Sequence, residues 1–251
     1  PNIAYEIDES TSLAFGIDIY DVRDLGFNTQ AFKVSGSGSG LGWNIGFTKK
    51  LDKWNLGLSY RSSVDADVSG SFADSIAARA TVPFPDLFQL GAYYQASDKW
   101  GIELDIERTG WSSFDQIKIT DASGGILTTS TNKWDDAWAL RLGAIFAINE
   151  KTNLLLGYSY DETGQKDQYF SARVPDNDRQ LFSVGVTHDY AGWTLEASYM
   201  YVAVDDRTVN SSVDYPTQVA GGNTDPNGTS AYNGTYESSV NLLGIGLSTK
   251  F

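Results

Sequence analysis

The chain has 251 residues, with 18 Lys and Arg against 32 Asp and Glu, for a formal charge of −14 at pH 7. That balance argues against nucleic acid as a partner, because neutralising phosphates takes a basic face. With no cysteine there is no disulfide, thiolate metal site or thiol nucleophile, and the lone histidine, His188, leaves little scope for imidazole chemistry.

In chain order, period-2 alternation marks ten strands, at about 11–22, 41–49, 53–66, 80–96, 99–118, 134–148, 152–162, 180–190, 193–206 and 239–251. The third carries Trp54, Leu56, Leu58 and Tyr60 on one face and Asn55, Gly57, Ser59 and Arg61 on the other. The fifth sets Trp100, Ile102, Leu104 and Ile106 against Gly101, Glu103, Asp105 and Glu107. The ninth alternates Trp193, Leu195, Ala197, Tyr199 and Tyr201 with Thr194, Glu196 and Ser198. The last places Leu243, Ile245, Leu247, Thr249 and Phe251 on one side. No run approaches the ~18 apolar residues of a transmembrane helix. A transmembrane β-barrel, which is apolar at every second position, escapes that test.

Connections alternate in length. Short ones lie near Leu51–Lys53, Ser97-Asp98, Asn149–Lys151 and Ala191-Gly192, and long ones at about 23–40, 67–79, 119–133, 163–179 and 207–238. This is the layout of an antiparallel up-and-down outer-membrane barrel with periplasmic turns and extracellular loops. Counting back from a periplasmic end at Phe251 puts every long loop outside and every short turn inside. Trp54, Trp100 and Trp193 each follow a short turn on the apolar face, as an interfacial aromatic girdle would. A soluble β-sandwich also shows period 2, but gives no reason for the alternating loop lengths. The whole of 1–251 reads as a single barrel domain, and the terminal Phe251 resembles the signal read by the outer-membrane assembly machinery.

Several stretches in order resemble the long-chain fatty-acid transporter family of the outer membrane (FadL-like), including its aromatic-hydrocarbon branch. They are Gly42-Trp-Asn-Ile-Gly46, Leu56-Gly-Leu-Ser-Tyr-Arg-Ser62, Val82-Pro-Phe-Pro-Asp86, Gly110-Trp-Ser-Ser-Phe114, Asp135-Asp-Ala-Trp138, Leu156-Gly-Tyr158 and Arg173-Val-Pro-Asp-Asn-Asp-Arg179. The resemblance implies a fourteen-stranded barrel plugged by an N-terminal hatch. Ten strands and no hatch are found, so the likeness is to the C-terminal two-thirds, and residues 1–10 read as the tail of a preceding loop.

The implied function is passive uptake of hydrophobic compounds, most simply long-chain fatty acids. The alternatives are aromatic hydrocarbons, or a non-transporting structural or adhesive barrel acting through 207–238. Fatty-acid transport calls for an apolar wall and a cation for the carboxylate. The candidate cations are Arg23, Lys133, Arg173 and Arg179, with Lys133 near the position where the resemblance implies a basic contact. The candidate apolar partners are Phe84, Trp111, Phe114 and Phe170. Partners are then the hydrophobic ligand and outer-membrane lipid, with no cofactor.

Enzyme activity is not expected, because His188 falls at the periplasmic end of its strand, away from the outer rim where a barrel hydrolase works. Asp176-Asn-Asp178 and Asp205-Asp206 could hold Ca²⁺ by composition but their spacing matches no EF-hand loop. Ser35-Gly-Ser-Gly-Ser-Gly40 reads as a flexible loop end.

Overall fold

A computed structural model describes residues 1–28, 33–170, 174–210 and 233–249. Fifteen strands form one antiparallel sheet: β1 (Asn2–Asp8), β2 (Thr11–Asn28), β3 (Lys33–Leu51), β4 (Trp54–Arg61), β5 (Val64–Phe72), β6 (Ile76–Phe84), β7 (Leu87–Gln95), β8 (Trp100–Thr109), β9 (Gln116–Asp121), β10 (Ile126–Thr131), β11 (Ala137–Asn149), β12 (Thr152–Asp161), β13 (Arg179–Tyr190), β14 (Trp193–Val209) and β15 (Gly234–Thr249). Among the described residues β1 pairs only with β2, β10 only with β9 and β15 only with β14, so the branched sheet has three edges.

The antiparallel all-β reading holds, with three differences. Residues 1–10 are not a loop tail: β1 pairs with β2 from Asn2↔Gly16 to Asp8↔Thr11. The segments read as single strands at 53–66, 80–96 and 99–118 are each interrupted, which raises the count above ten. Three of the expected long loops, 23–40, 67–79 and 119–133, are largely strand, whereas 163–179 is a loop as expected. β2 runs to Asn28 and β3 starts at Lys33, β5 and β6 form a hairpin turning at 73–75, and β9 and β10 form another. The tip of 207–238, residues 211–232, and Phe251 lie outside the described residues.

Nearest the short turns the sheet is apolar outside and polar inside. Across β8, β11, β12 and β13 the outward rows read Leu104↔Leu142↔Tyr158↔Phe182 and Ile102↔Ala144↔Leu156↔Val184. Leu104, Leu142, Leu156, Phe182 and Val184 remain exposed, and on β15 Leu243 and Ile245 are 85% and 93% exposed. A continuous apolar band of this kind requires an apolar solvent to cover it.

Aromatic pairs border the band. On the short-turn side Trp54 stacks with Tyr94 at 4.5 Å and Trp100 with Phe146 at 4.7 Å, and Tyr190 sits opposite Trp193. On the other side Trp43 meets Tyr60 at 5.3 Å and Tyr158 meets Phe182 at 5.3 Å. From Trp54 to Tyr60 is about 20 Å along the strand, and from Phe146 to Trp138 about 26 Å. The band thus covers seven to nine residues of these strands, close to the ~9–11 of a tilted transmembrane strand.

At the far edge of this band two neighbouring strands break together. β4 gives way to β5 at Ser62-Ser63, and β7 to β6 at the facing Pro85-Asp86. β3 runs through unbroken and fixes the frame, with its even-numbered residues on the inner face from Gly38 to Gly46. Asn44 pairs with Arg61 before the break and Gly38 with Val68 after it, so the partner strand has gained one residue. An added residue is a β-bulge, and it moves every following side chain to the opposite face. Leu56, Leu58 and Tyr60 therefore point outward, whereas Val64, Ala66 and Val68 point inward and are 2%, 0% and 6% exposed.

Beyond the break the polarity of the wall is inverted. Asp65, Asp67, Ser69, Arg79 and Thr81 are outside and exposed, while Ala78, Ala80 and Val82 are turned in. β3 accommodates the inward valines with Gly36, Gly38, Gly40 and Gly42. A Cβ on Gly38 would stand 1.9 Å from the Asp67 carbonyl oxygen, and one on Gly40 2.5 Å from Val64. The Ser35–Gly40 repeat is thus ordered strand.

Candidate functional site

The inverted section encloses a cavity of about 280 Å³ walled by Val68, Ala78, Ala80, Val82, Ile117 and Ile119, with Arg79 and the hydroxyl residues Thr128, Thr129 and Ser130 in its lining. The inward rows of β5, β6 and β9 supply the wall, so the same bulge that inverts the sheet makes the cavity apolar. Its outer surface carries Thr81 Oγ1 donating to Asp67 Oδ1 at 2.9 Å, a contact suited to water.

An aromatic contact lies next along the inner face of β6, two residues from the cavity-lining Val82. Tyr20 on β2 and Phe84 on β6 are separated by β3 and β5 in the sheet, yet their ring centroids are 5.0 Å apart. Strands lie about 4.8 Å from their neighbours, so this contact forms only because the sheet curls sharply here. Val64 pairs with Phe84 and is buried.

Directly beneath is an ion pair. A Cβ on Gly42 would lie 2.5 Å from Val64 Cγ2 and 3.8 Å from Asp18 Cβ, which places Asp18 against the underside of Val64. Asn44 Nδ2 donates to Asp18 Oδ1 at 2.9 Å. Arg61 Nε is 3.3 Å from Asp18 Oδ2, an oxygen that is buried and accepts no hydrogen bond. Farther in, an open trough of about 980 Å³ is lined by small and polar residues such as Ala14, Gly46, Thr48, Gly57, Gly91 and Glu103. A polar ladder crosses it: Ser59 Oγ donates to Gln89 Oε1 (3.0 Å), Gln89 Nε2 to Glu107 Oε2 (2.6 Å) and Arg141 to Glu107 Oε1 (3.0 Å).

Of the residues selected from sequence, the structure gathers one group. Trp111 and Phe114 form edge-on contacts with Trp134, each at 5.1 Å, and Lys133 stands 5.3 Å above the Tyr169 ring. Phe170, next to Tyr169, is buried between Tyr236 at 4.7 Å and the Arg207 guanidinium at 5.0 Å. Arg207 is itself buried and donates to the carbonyls of Gln165 and Asp176 and to the Asp167 carboxylate, pinning the 163–170 segment to β14.

The others lie apart. Arg23 pairs with Asp21 on an exposed surface, Arg179 is held by Asp161 and Asp176, and Arg173 lies outside the described residues. None of the seven described residues among the eight lines the apolar cavity. Asp176 and Asp178 accept hydrogen bonds from Thr163 and Tyr160, and Asn177 reaches the carbonyls of Asp205 and Asp206, so these residues tie the loop to β14. His188 meets Thr152 Oγ1 at 3.0 Å beside a short turn. Arg108 joins Asp86, at the strand break, to Asp136 ahead of β11. The Ser112 hydrogen bond, aided by Arg108, holds the Asp136 carboxyl below its ordinary pKa.

Sequence comparison places this geometry in a known group. A family model described as "Outer membrane protein transport protein (OMPP1/FadL/TodX)" matches residues 22–251. The chain belongs to that family. It is 27% identical over 198 residues to the long-chain fatty acid transport protein of Escherichia coli strain K12, covering 69% of this chain and 44% of that protein. It is 28% identical over 174 residues to outer membrane protein P1 of Haemophilus influenzae, covering 65% and 38%. The chain therefore matches less than half the length of these relatives.

Among solved structures, a FadL homologue from Pseudomonas aeruginosa superposes with a TM-score of 0.76 at 17% identity, over 98% of this chain and 65% of that one. The Ralstonia pickettii toluene transporter TbuX gives 0.56 at 13% identity, over 82% and 61%. Both likenesses are of fold. The family is one of outer-membrane transport proteins for hydrophobic compounds, and its named relatives are proteins of Gram-negative bacteria.

Proposed function

We propose that the protein takes up hydrophobic molecules passively across the outer membrane, with long-chain fatty acids as the principal substrate. The observation that carries this reading is the inversion of wall polarity: an apolar cavity lies just beyond an outward apolar band. A molecule expelled from water gains about 25 cal/mol for each Å² of apolar surface it buries there. In this reading the long hairpins are extracellular, the short turns are periplasmic, and the ligand passes from cavity to trough down its own gradient. Aromatic hydrocarbons are the second reading. The apolar wall supports it, since an uncharged ring needs no cation.

The test is Ala80→Trp, which fills the cavity from an inward position. Oleate and toluene uptake into vesicles carrying the protein should both fall at least tenfold, while the heat-modifiable gel shift that marks a folded barrel stays as in the unaltered protein. Undiminished uptake of both in a folded variant would overturn the cavity as the entry site.

A further inference from the structure

We infer that the outward crevice between β6 and β9, with Arg79 on one strand and Lys118 on the other, binds a phosphate of a lipid headgroup in the outer leaflet. The inference goes beyond uptake and rests on the reading that places the long hairpins outside the cell.

The crevice comes from the parting of two strands. β6 and β9 pair only over 78–80 and 119–121, and they separate towards the apolar band. The gap opens a crevice of about 650 Å³ on the outer face, lined by Asp67, Ser69, Arg79, Thr81, Lys118 and Thr120. Ile117 and Ile119 turn the other way, into the apolar cavity. Arg79 is opposite Thr120, and Lys118 is two residues along the same face, so the two cations are diagonal neighbours with Cβ atoms about 7–8 Å apart. Side chains of their length can share one phosphate across that distance.

Charge is the second argument. On the long-hairpin side of the band Arg23, Lys33, Arg108, Lys166, Arg179 and Arg207 each have a carboxylate partner. Arg79 and Lys118 are exposed and have no ion pair among the described residues, although the chain carries a net charge of −14. Asp67 shares their face, yet its carboxylate accepts from Thr81 Oγ1 instead. Two adjacent cations left unneutralised by so acidic a chain suit an anion that comes from outside it.

Level is the third. Thr81 stands four residues beyond Pro85, where the band ends, or about 9 Å above the hydrocarbon at ~3.3 Å per residue and a strand tilt of ~45°. The headgroup layer fills about the first 5–8 Å of that height, and the flexible stem of Lys118, level with Thr81, reaches back to it. A phosphate held there joins β6 to β9 where, among the described residues, no backbone pairing does, and so steadies the wall of the cavity.

The experiment places the protein as its gene encodes it in symmetric phosphatidylcholine vesicles, with and without diphosphorylated lipid A, and follows amide hydrogen exchange. Lipid A should slow exchange at 81–84 and 116–118 at least fivefold, and added salt should reverse the effect. Lys118→Gln, which leaves the cavity lining untouched, and Arg79→Gln should each lose most of that protection while keeping the heat-modifiable gel shift of a folded barrel. Protection that survives in the double variant, or none in the folded unaltered protein, overturns the site. Equal protection by inorganic phosphate or by dephosphorylated lipid A overturns the lipid phosphate as its occupant. Oleate uptake in the vesicles without lipid A tests the transport reading separately.

Discussion

Close approach of backbones makes the β3 glycines individually testable. Gly38 faces a carbonyl oxygen that cannot step aside, because it belongs to the strand hydrogen-bonded to β3. Overpacking typically costs about 1–3 kcal/mol when neighbours can adjust. With backbone as the obstacle, Gly38→Ala should cost at least ~2 kcal/mol. Gly57, with nothing within 4 Å of an added Cβ, is the control; Gly57→Ala should be neutral or stabilising by up to ~1 kcal/mol through the unfolded chain. Urea unfolding of the detergent-refolded protein measures both.

Arg207 gives a different contrast. Its Asp167 partner is 74% exposed, so that ion pair is screened and Asp167→Asn should change stability by less than ~1 kcal/mol. The carbonyls of Gln165 and Asp176 have no such alternative, and Arg207→Leu strands them together with the Phe170 contact. The 163–170 segment should then become open to limited proteolysis while the barrel strands stay protected.

Among the elements, the paired break in β4/β5 and β6/β7 does most to shape the site, and the Arg108 bridge spans it. Folding lowers the Asp136 pKa below 3.8, so this contribution is present at neutral pH and fades as pH falls through the folded value. Between about pH 5 and pH 3 the unfolding midpoint should drop more steeply for the unaltered protein than for Asp136→Asn, which lacks that titration. Equal slopes would remove the bridge from the stability of the break.

The same elements show what was readable in the sequence. β8 and β14 are membrane strands legible from alternation alone, since lipid outside and polar groups inside impose opposite chemistry on successive residues. Alternation reveals that two faces differ without saying which faces in. From Trp54 through Val68 the apolar residues keep to even positions, yet the face they occupy changes at Ser62-Ser63, and with it the cavity becomes apolar. Val64-Asp-Ala-Asp-Val68 already showed strand alternation; assigning 67–79 to a loop hid its continuation to Phe72. Ser35–Gly40 differs from the expected flexible loop end for a related reason: its glycines make room for a neighbouring strand. The surroundings of Arg61, Tyr20 and Val68 are set by contacts with strands distant in the chain, which no local pattern displays.

At the scale of the whole molecule the decisive matter is which solvent covers the outward band. Leu104 and Leu142 sit opposite each other near the middle of that band, about half exposed, and Glu103, one residue away, faces the trough. In water such a surface would drive aggregation, and an arginine there would be harmless or helpful. In a bilayer the same substitution places a charge in hydrocarbon and costs about 2–4 kcal/mol at the midplane of a transmembrane barrel. Leu104→Arg should therefore lower folding into lipid vesicles by that amount, while Leu104→Ile changes it by less than ~1.5 kcal/mol. Glu103→Gln, on the inner face, should leave folding yield within twofold. The order of these three variants distinguishes a membrane wall from a soluble sheet: in a soluble sheet the arginine would be tolerated at 104. The open edges β1 and β15 bear on the same choice, because a bilayer offers no hydrogen bonds to unpaired strand backbones. A stable wall in lipid thus requires both edges to be paired as well as the leucines covered.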